Sequence, residues 1–341
     1  MITHDKNINN FFILWLKSTF VLIIAMIIIG GFTRLTDSGL SITEWELFKG
    51  ILPPMSQSEW DYYFDLYKQI PQFKILNSDM MINEFKIIFY WEYIHRIFGR
   101  FIGLFFLFPL LYFHFSKKIK YSELVRCYII LSLIIIQGIV GWYMVKSGLV
   151  NDVTVSHYRL SLHLSIAILI VSILFWTIIN YRSQNNKIFF NFSKKNFPYI
   201  FLIILIFFQI IMGAFVSGLD AGKIYQTWPL MGYSYFPDDF FFVNFFDFLN
   251  FENHSLVQFY HRNIAYIITL YILILGFFIL RKNDKKLFKP MLYLFLSLLL
   301  QVSVGIFTLI SNLNIFLASA HQIIGVILVL SALNLYYSSI K

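Results

Sequence analysis

The chain has 341 residues, of which 58% are hydrophobic, 13% are charged and 40 are Phe. A soluble domain of this length has no use for so much apolar surface, which leaves a polytopic membrane protein. The formal charge of +9 does not signal a nucleic-acid partner, because the cations sit in short connectors between apolar runs, where they read as membrane topology.

Runs able to cross about 30 Å of hydrocarbon at about 1.5 Å per residue fall at 11–33, 87–115, 124–145, 157–179, 198–218, 257–280, 290–311 and 317–338. No small-residue cleavage site follows the first run, so it is expected to be a retained span and not a signal peptide. The loop 34–86 comes next and is rich in acids: Asp37, Glu44, Glu46, Glu59, Asp61, Asp65, Asp79 and Glu84. Within it Ser56 and Glu59 have capping-box spacing, and WDYYFDLYKQI then runs to Pro71. This predicts a surface helix, either in an ordinary connector or in a lid over a site.

The second span opens with YWEYIHRIFGR at 90–100, which places Glu92, His95, Arg96 and Arg100 at the head of an apolar helix. Such groups are costly in hydrocarbon, and their presence points to function. Three connectors are basic: 116–126 with Lys117, Lys118, Lys120 and Arg126; 180–197 with Arg182, Lys187, Lys194 and Lys195; and 281–289 with Arg281, Lys282, Lys285, Lys286 and Lys289. By the positive-inside rule they face the cytoplasm with both termini, and the loops 34–86 and 219–256 face outward. Cys127 is the single cysteine, which excludes an intramolecular disulfide and a cysteine-based metal cluster.

The chain repeats itself. GGFTRLTDSG (30–39) aligns without a gap on GAFVSGLDAG (213–222), and YWEYIHRIFGRFIGL (90–104) on LVQFYHRNIAYIITL (256–270). QGIVG (137–141) faces QVSVG (301–305), and the helix holding His163 faces the one holding His321. The expected fold is an all-α polytopic membrane protein, with eight transmembrane helices as two tandem four-helix bundles, 1–197 and 198–341. Gln and Gly recur four apart at 137/141, 209/213 and 301/305, so they share a helix face. Close helix packing explains the pattern, and a polar contact to a ligand is the other reading.

Eight histidines occur. His4, His114, His157 and His254 fall in a tail, at helix ends or in a loop, and are expected to be solvated or interfacial. His95, His163, His261 and His321 instead lie a few residues inside the outward ends of the even-numbered spans, at a common depth on the order of 10 Å. Two imidazoles from facing helices can hold a haem iron from both sides, with the porphyrin among Phe, Ile and Leu. Arg96, Arg262 and Arg159 are then placed to meet the propionates. Zinc or copper fits less well, since two histidines without cysteine or paired carboxylates leave the ion under-coordinated. A proton relay or a transporter is the remaining reading.

The halves differ three residues before the first histidine, where one has Glu92 and the other Gln258. A carboxylate beside a reacting group can move protons and an amide of the same shape cannot, so the N-terminal half reads as reactive and the C-terminal half as a haem-holding copy. The alternative is that Glu92 pairs with Arg96 or Arg100.

GGFTRLTDSGLSITEW, LPPMSQSEWDYYFDLYKQIPQF, EFKIIFYWEYIHRIFGR, GAFVSGLDAGKIYQTWPLMG, LVQFYHRNIAYI and ASAHQIIG together resemble the haem A synthases of the mitochondrial and α-proteobacterial type, over about residues 15 to 335. The resemblance implies oxidation of a methyl group of haem O to a formyl group, giving haem A for cytochrome oxidase, by two hydroxylations and loss of water from a geminal diol. It implies that His95 and His163 hold the substrate haem, that Glu92 takes part in the oxidation, and that His261 and His321 ligate haem b. It also implies the cell inner membrane, surrounding lipid, an electron donor, and haem O synthase as the supplier of substrate. The cysteine pair that some bacterial members carry in the first outer loop is missing, so no thiol step is carried over. A two-haem b-type electron carrier and a non-catalytic assembly factor are the rivals, and the Glu92/Gln258 difference favours the enzyme.

Overall fold

In hydrocarbon a backbone must satisfy its own N–H and C=O groups, which long apolar runs do by forming helices. The computed structural model describes residues 6–45, 49–151 and 153–340; His4 and Glu46 lie outside them. Apart from one isolated bridge, Met231 to Ser234, the regular structure among the described residues is helical. The main helices are α1 (Lys6–Leu35), α2 (Gln57–Lys68), α3 (Pro71–Leu76), α4 (Ile82–Ser116), α5 (Tyr121–Asn151), α6 (His157–Arg182), α7 (Phe197–Gly218), α8 (His254–Arg281), α9 (Lys285–Ile310) and α10 (Ile315–Ser339). All but α2 and α3 are long and apolar enough to cross a membrane, which makes eight spans among the described residues. Exposed side chains such as Leu14, Phe108, Phe277 and Leu280 give these helices an apolar surface suited to lipid, as a multi-pass membrane protein requires.

The chain divides into two compact units, residues 1–178 and 179–341. In the first, α1 packs on α4 through aromatic rings: Trp15 lies 4.7 Å from Phe106 and Phe12 lies 5.1 Å from Phe113. In the second, α7 lies along α8 and α9 along α10. The connector after α6 is fastened to the end of α10: Lys187 Nζ donates to the Tyr337 carbonyl at 3.0 Å, and the Asn191 N–H to the Tyr336 hydroxyl at 2.9 Å.

The capping box forms as its spacing predicts. Ser56 Oγ accepts from the Glu59 N–H at 3.2 Å, and Glu59 Oε2 accepts from the Ser56 N–H at 3.0 Å. The amphipathic face of α2 buries Trp60, Phe64 and Tyr67 against Phe85 and Phe89 of α4. That contact explains why α4 begins at Ile82, five residues before the apolar run at 87. Its 35 residues reach about 52 Å at about 1.5 Å per residue, well beyond a hydrocarbon layer of about 30 Å. Gln72 of α3 is 2% exposed; its amide donates to the Asp37 carbonyl at 3.0 Å and its oxygen accepts from the Tyr67 hydroxyl at 3.0 Å. The loop is thereby packed on both α4 and the turn that ends α1.

That turn recurs after α7. Asp37 (φ 51°) and Asp220 (φ 53°) each adopt the left-handed conformation and lead into a three-residue 3-10 turn, Ser38–Leu40 and Ala221–Lys223. Aspartate tolerates this region better than most residues, so the repeat in sequence is also a repeat in backbone geometry.

Candidate functional site

Each unit brings two histidines together. His95 on α4 faces His163 on α6 with ring centres 6.4 Å apart, and His261 on α8 faces His321 on α10 at the same 6.4 Å. The rings are inclined at 34° in the first pair and 78° in the second. All four Nδ1 atoms are buried with no hydrogen-bond partner among the described residues. A buried polar atom left unpaired costs about 1–3 kcal/mol, and that cost recurs at four equivalent places. The amide nitrogens of Gln209 and Gln301 come within 3.4 Å of Nε2 of His261 and His321, and Oε1 of Gln137, Gln209 and Gln301 is also buried and unpartnered. On α1 the same register holds Met26.

His163, His261 and His321 lie within the first two turns of their helices, whereas His95 sits deeper along α4 because of its extension over α2. No group of three or more His, Cys, Asp or Glu converges among the described residues, so neither pair offers a bare metal ion a full tetrahedral set. A porphyrin iron needs only axial donors. Two metal–imidazole bonds of about 2 Å, with each nitrogen about 1.2 Å from its ring centre, place the centres about 6.4 Å apart. The imidazole pairs fit a haem iron between them.

Beside the first pair, Glu92 is 3% exposed and meets four donors. Its Oε1 accepts from Arg96 Nε and Nη2 at 3.1 and 2.6 Å, and its Oε2 from the Ile42 N–H and the Ser41 hydroxyl, both at 2.8 Å. The Ser41 proton has a second acceptor in the Ile88 carbonyl at 3.2 Å. Arg96 also donates to the carbonyls of Ile42 (2.8 Å) and Glu44 (3.4 Å), and lies over the Trp45 ring. The pairing of Glu92 with Arg96 is therefore present, and it fastens the segment 41–45 to α4. Arg100 instead donates to the Gly50 carbonyl.

The second unit builds the same clamp without the carboxylate. Gln258 Nε2 donates to the Tyr225 carbonyl at 2.8 Å, and Arg262 donates to the carbonyls of Tyr225, Thr227 and Leu230. In the gapless register Ile42 and Glu44 stand opposite Tyr225 and Thr227, and Ser41 stands opposite Ile224. Carboxylate and hydroxyl are thus lost together in the second half. Ser41 escaped the sequence reading, although its replacement by isoleucine in the repeat was a visible signal.

Arg159 donates to the Ser147 hydroxyl at 2.5 Å and lies over the Tyr143 ring. His114 is bonded to the Tyr128 hydroxyl, and His254 is exposed at the start of α8. His157 departs from the expectation of a solvated or interfacial ring: it is 5% exposed, with its ring centre 4.0 Å from that of Tyr158.

Fold and site together define a helical multi-pass membrane protein in which two pairs of buried imidazoles face one another. A family model described as cytochrome oxidase assembly protein matches residues 13–333. The chain is 47% identical over 337 residues to a protein named heme A synthase from Pelagibacter ubique (strain HTCC1062), covering 97% of each chain. It is 42% identical over 330 residues to the heme A synthase of Rickettsia bellii (strain OSU 85-389), covering 96% of this chain and 97% of that one. A third, from Rickettsia massiliae (strain Mtu5), is 43% identical over 317 residues. The chain belongs to the cytochrome oxidase assembly protein family.

Proposed function

We propose that the chain is a haem A synthase: it oxidises a methyl group of haem O to a formyl group, supplying haem A for cytochrome oxidase. His95 and His163 hold the substrate haem, and His261 and His321 hold a resident haem b. The observation that carries this reading is the equal 6.4 Å separation of the two imidazole pairs, joined to a buried carboxylate beside only one of them.

Haem b, when bound, supplies an electron-transfer centre. The chain's own residues do the rest. The imidazoles of His95 and His163 would hold and orient the substrate haem. Glu92 and Ser41 hold a proton between two oxygens 2.8 Å apart, a pair able to accept or return one during the oxidation. Gln258 and Ile224 have no such capacity, so the C-terminal half holds its haem unchanged. Arg96, Arg262 and Arg159 supply fixed positive charge for the propionates, their guanidinium groups oriented by loop carbonyls and by Ser147. The protein lies in the inner membrane with both termini in the cytoplasm and the histidines toward the outer face, a reading that the basic connectors 116–126, 180–197 and 281–289 support. Haem O synthase and an electron donor are its partners.

Extraction of haem from the purified protein tests the reading. Haem O, a hydroxylated intermediate or haem A is expected beside haem b; haem b alone in both halves would instead identify an electron carrier.

A further inference from the structure

Each of the four imidazoles rests against a glycine of the preceding long helix. A Cβ built on Gly30 of α1 would stand 3.0 Å from Cε1 of His95; on Gly141 of α5, 3.0 Å from Cε1 of His163; on Gly213 of α7, 3.0 Å from Cε1 of His261; and on Gly305 of α9, 2.7 Å from Cε1 of His321. Carbon atoms prefer about 3.5–4.0 Å, so no side chain fits at any of the four without moving the ring. Other helical glycines lack this neighbour: a Cβ on Gly103 or Gly138 would meet nothing within 4 Å.

We propose that Gly30, Gly141, Gly213 and Gly305 are positioning residues for the four imidazoles, each forming a flat seat that sets how near the ring lies to its own helix pair and which way it points. The inference rests on the haem reading for its purpose, while the seats themselves are a matter of packing. The four rings have no hydrogen bond at Nδ1 to hold them, so the van der Waals contact with the glycine backbone is what restrains them on that side. A methyl group there displaces the ring and disturbs the separation that suits an iron between the pair. The repeat of Gln and Gly four apart then acquires a cause: the glycine belongs to the histidine and not to helix packing in general.

The test uses the full-length purified protein. Gly213→Ala and Gly305→Ala are expected to convert low-spin haem absorption toward high-spin and to shift the haem reduction potential, with Gly305→Ala the stronger; Gly103→Ala and Gly138→Ala are expected to leave both as in the wild type. Alanine is ordinarily the better helix residue, so the unfolding temperature is a second readout: Gly213→Ala should lower it, and should cease to do so in the His261→Ala background. Folded Gly213→Ala and Gly305→Ala proteins with wild-type spectrum and potential would overturn the proposal and leave the haem reading intact. Absence of haem from the wild type would remove the haem reading, and the stability cycle would still decide the seats: a penalty from Gly213→Ala that persists in the His261→Ala background would overturn them.

Discussion

Arg96 donates from two of its nitrogens to one oxygen of Glu92, and the other oxygen of Glu92 takes the N–H of Ile42, fifty residues earlier in the chain. One buried carboxylate thus joins a helix, a cation and a loop. The side chains of both partners are nearly covered, 11% exposed for Arg96 and 4% for Glu92.

Breaking a buried pair on one side leaves the other charge uncompensated, at a cost of about 3–5 kcal/mol. Glu92→Ala is expected to lose stability on that scale and to loosen the segment 41–45, whereas Glu92→Gln keeps the shape and loses less. Thermal unfolding in detergent and limited proteolysis of the loop check both.

Glu92→Gln makes the first site resemble the second. Haem binding is expected to survive and haem A formation to stop or stall at an intermediate, read by chromatography of extracted haem. Unchanged haem A output would remove Glu92 from the reaction.

Loss of one imidazole should act on its own pair. His261→Ala is expected to strip or weaken the haem of the second unit while the first still binds substrate, and His95→Ala to do the reverse. Absorption spectra and haem content of the two variants should therefore be complementary; an unaltered spectrum in either would refute ligation at that position.

The α2 cap responds to acid. The backbone N–H groups of Met55 and Ser56 hold the Glu59 carboxyl below the ordinary glutamate range. A carboxyl depressed in the folded state contributes stability above its unfolded pKa, and that contribution fades as pH falls through the lower folded value. Protection of the Met55 and Ser56 amides from exchange, taken relative to the intrinsic rate at each pH, should accordingly fall only under acid conditions, below the usual glutamate range, and in Glu59→Gln this acid-dependent step should be gone.

Much of the site was legible before any coordinates. The eight spans follow from apolar length, and the capping box at Ser56 from local spacing. The choice of four histidines came from a repeat that places one on each even-numbered span. What escaped were contacts between distant segments. Nothing in the order of residues places Ser41 and Ile42 on Glu92, because that register depends on the left-handed turn at Asp37 and on how α2 draws out α4. His157 looked solvated or interfacial because burial of a single ring at a helix start leaves no periodic mark. The glycines were visible but ambiguous, since a small residue in a membrane helix signals close approach without naming what approaches.

The pairing of one glycine with one histidine has a bearing on biogenesis. Each successive pair of long helices, α1 with α4, α5 with α6, α7 with α8 and α9 with α10, carries one ring and its seat, so no pair is complete by itself. A nascent chain enters the membrane from its N-terminal end. The first imidazole pair therefore closes when α6 is inserted, while the second stays half-built until α10 arrives. Termination between α8 and α10 would leave the pair of His95 and His163 whole and His261 without its counterpart.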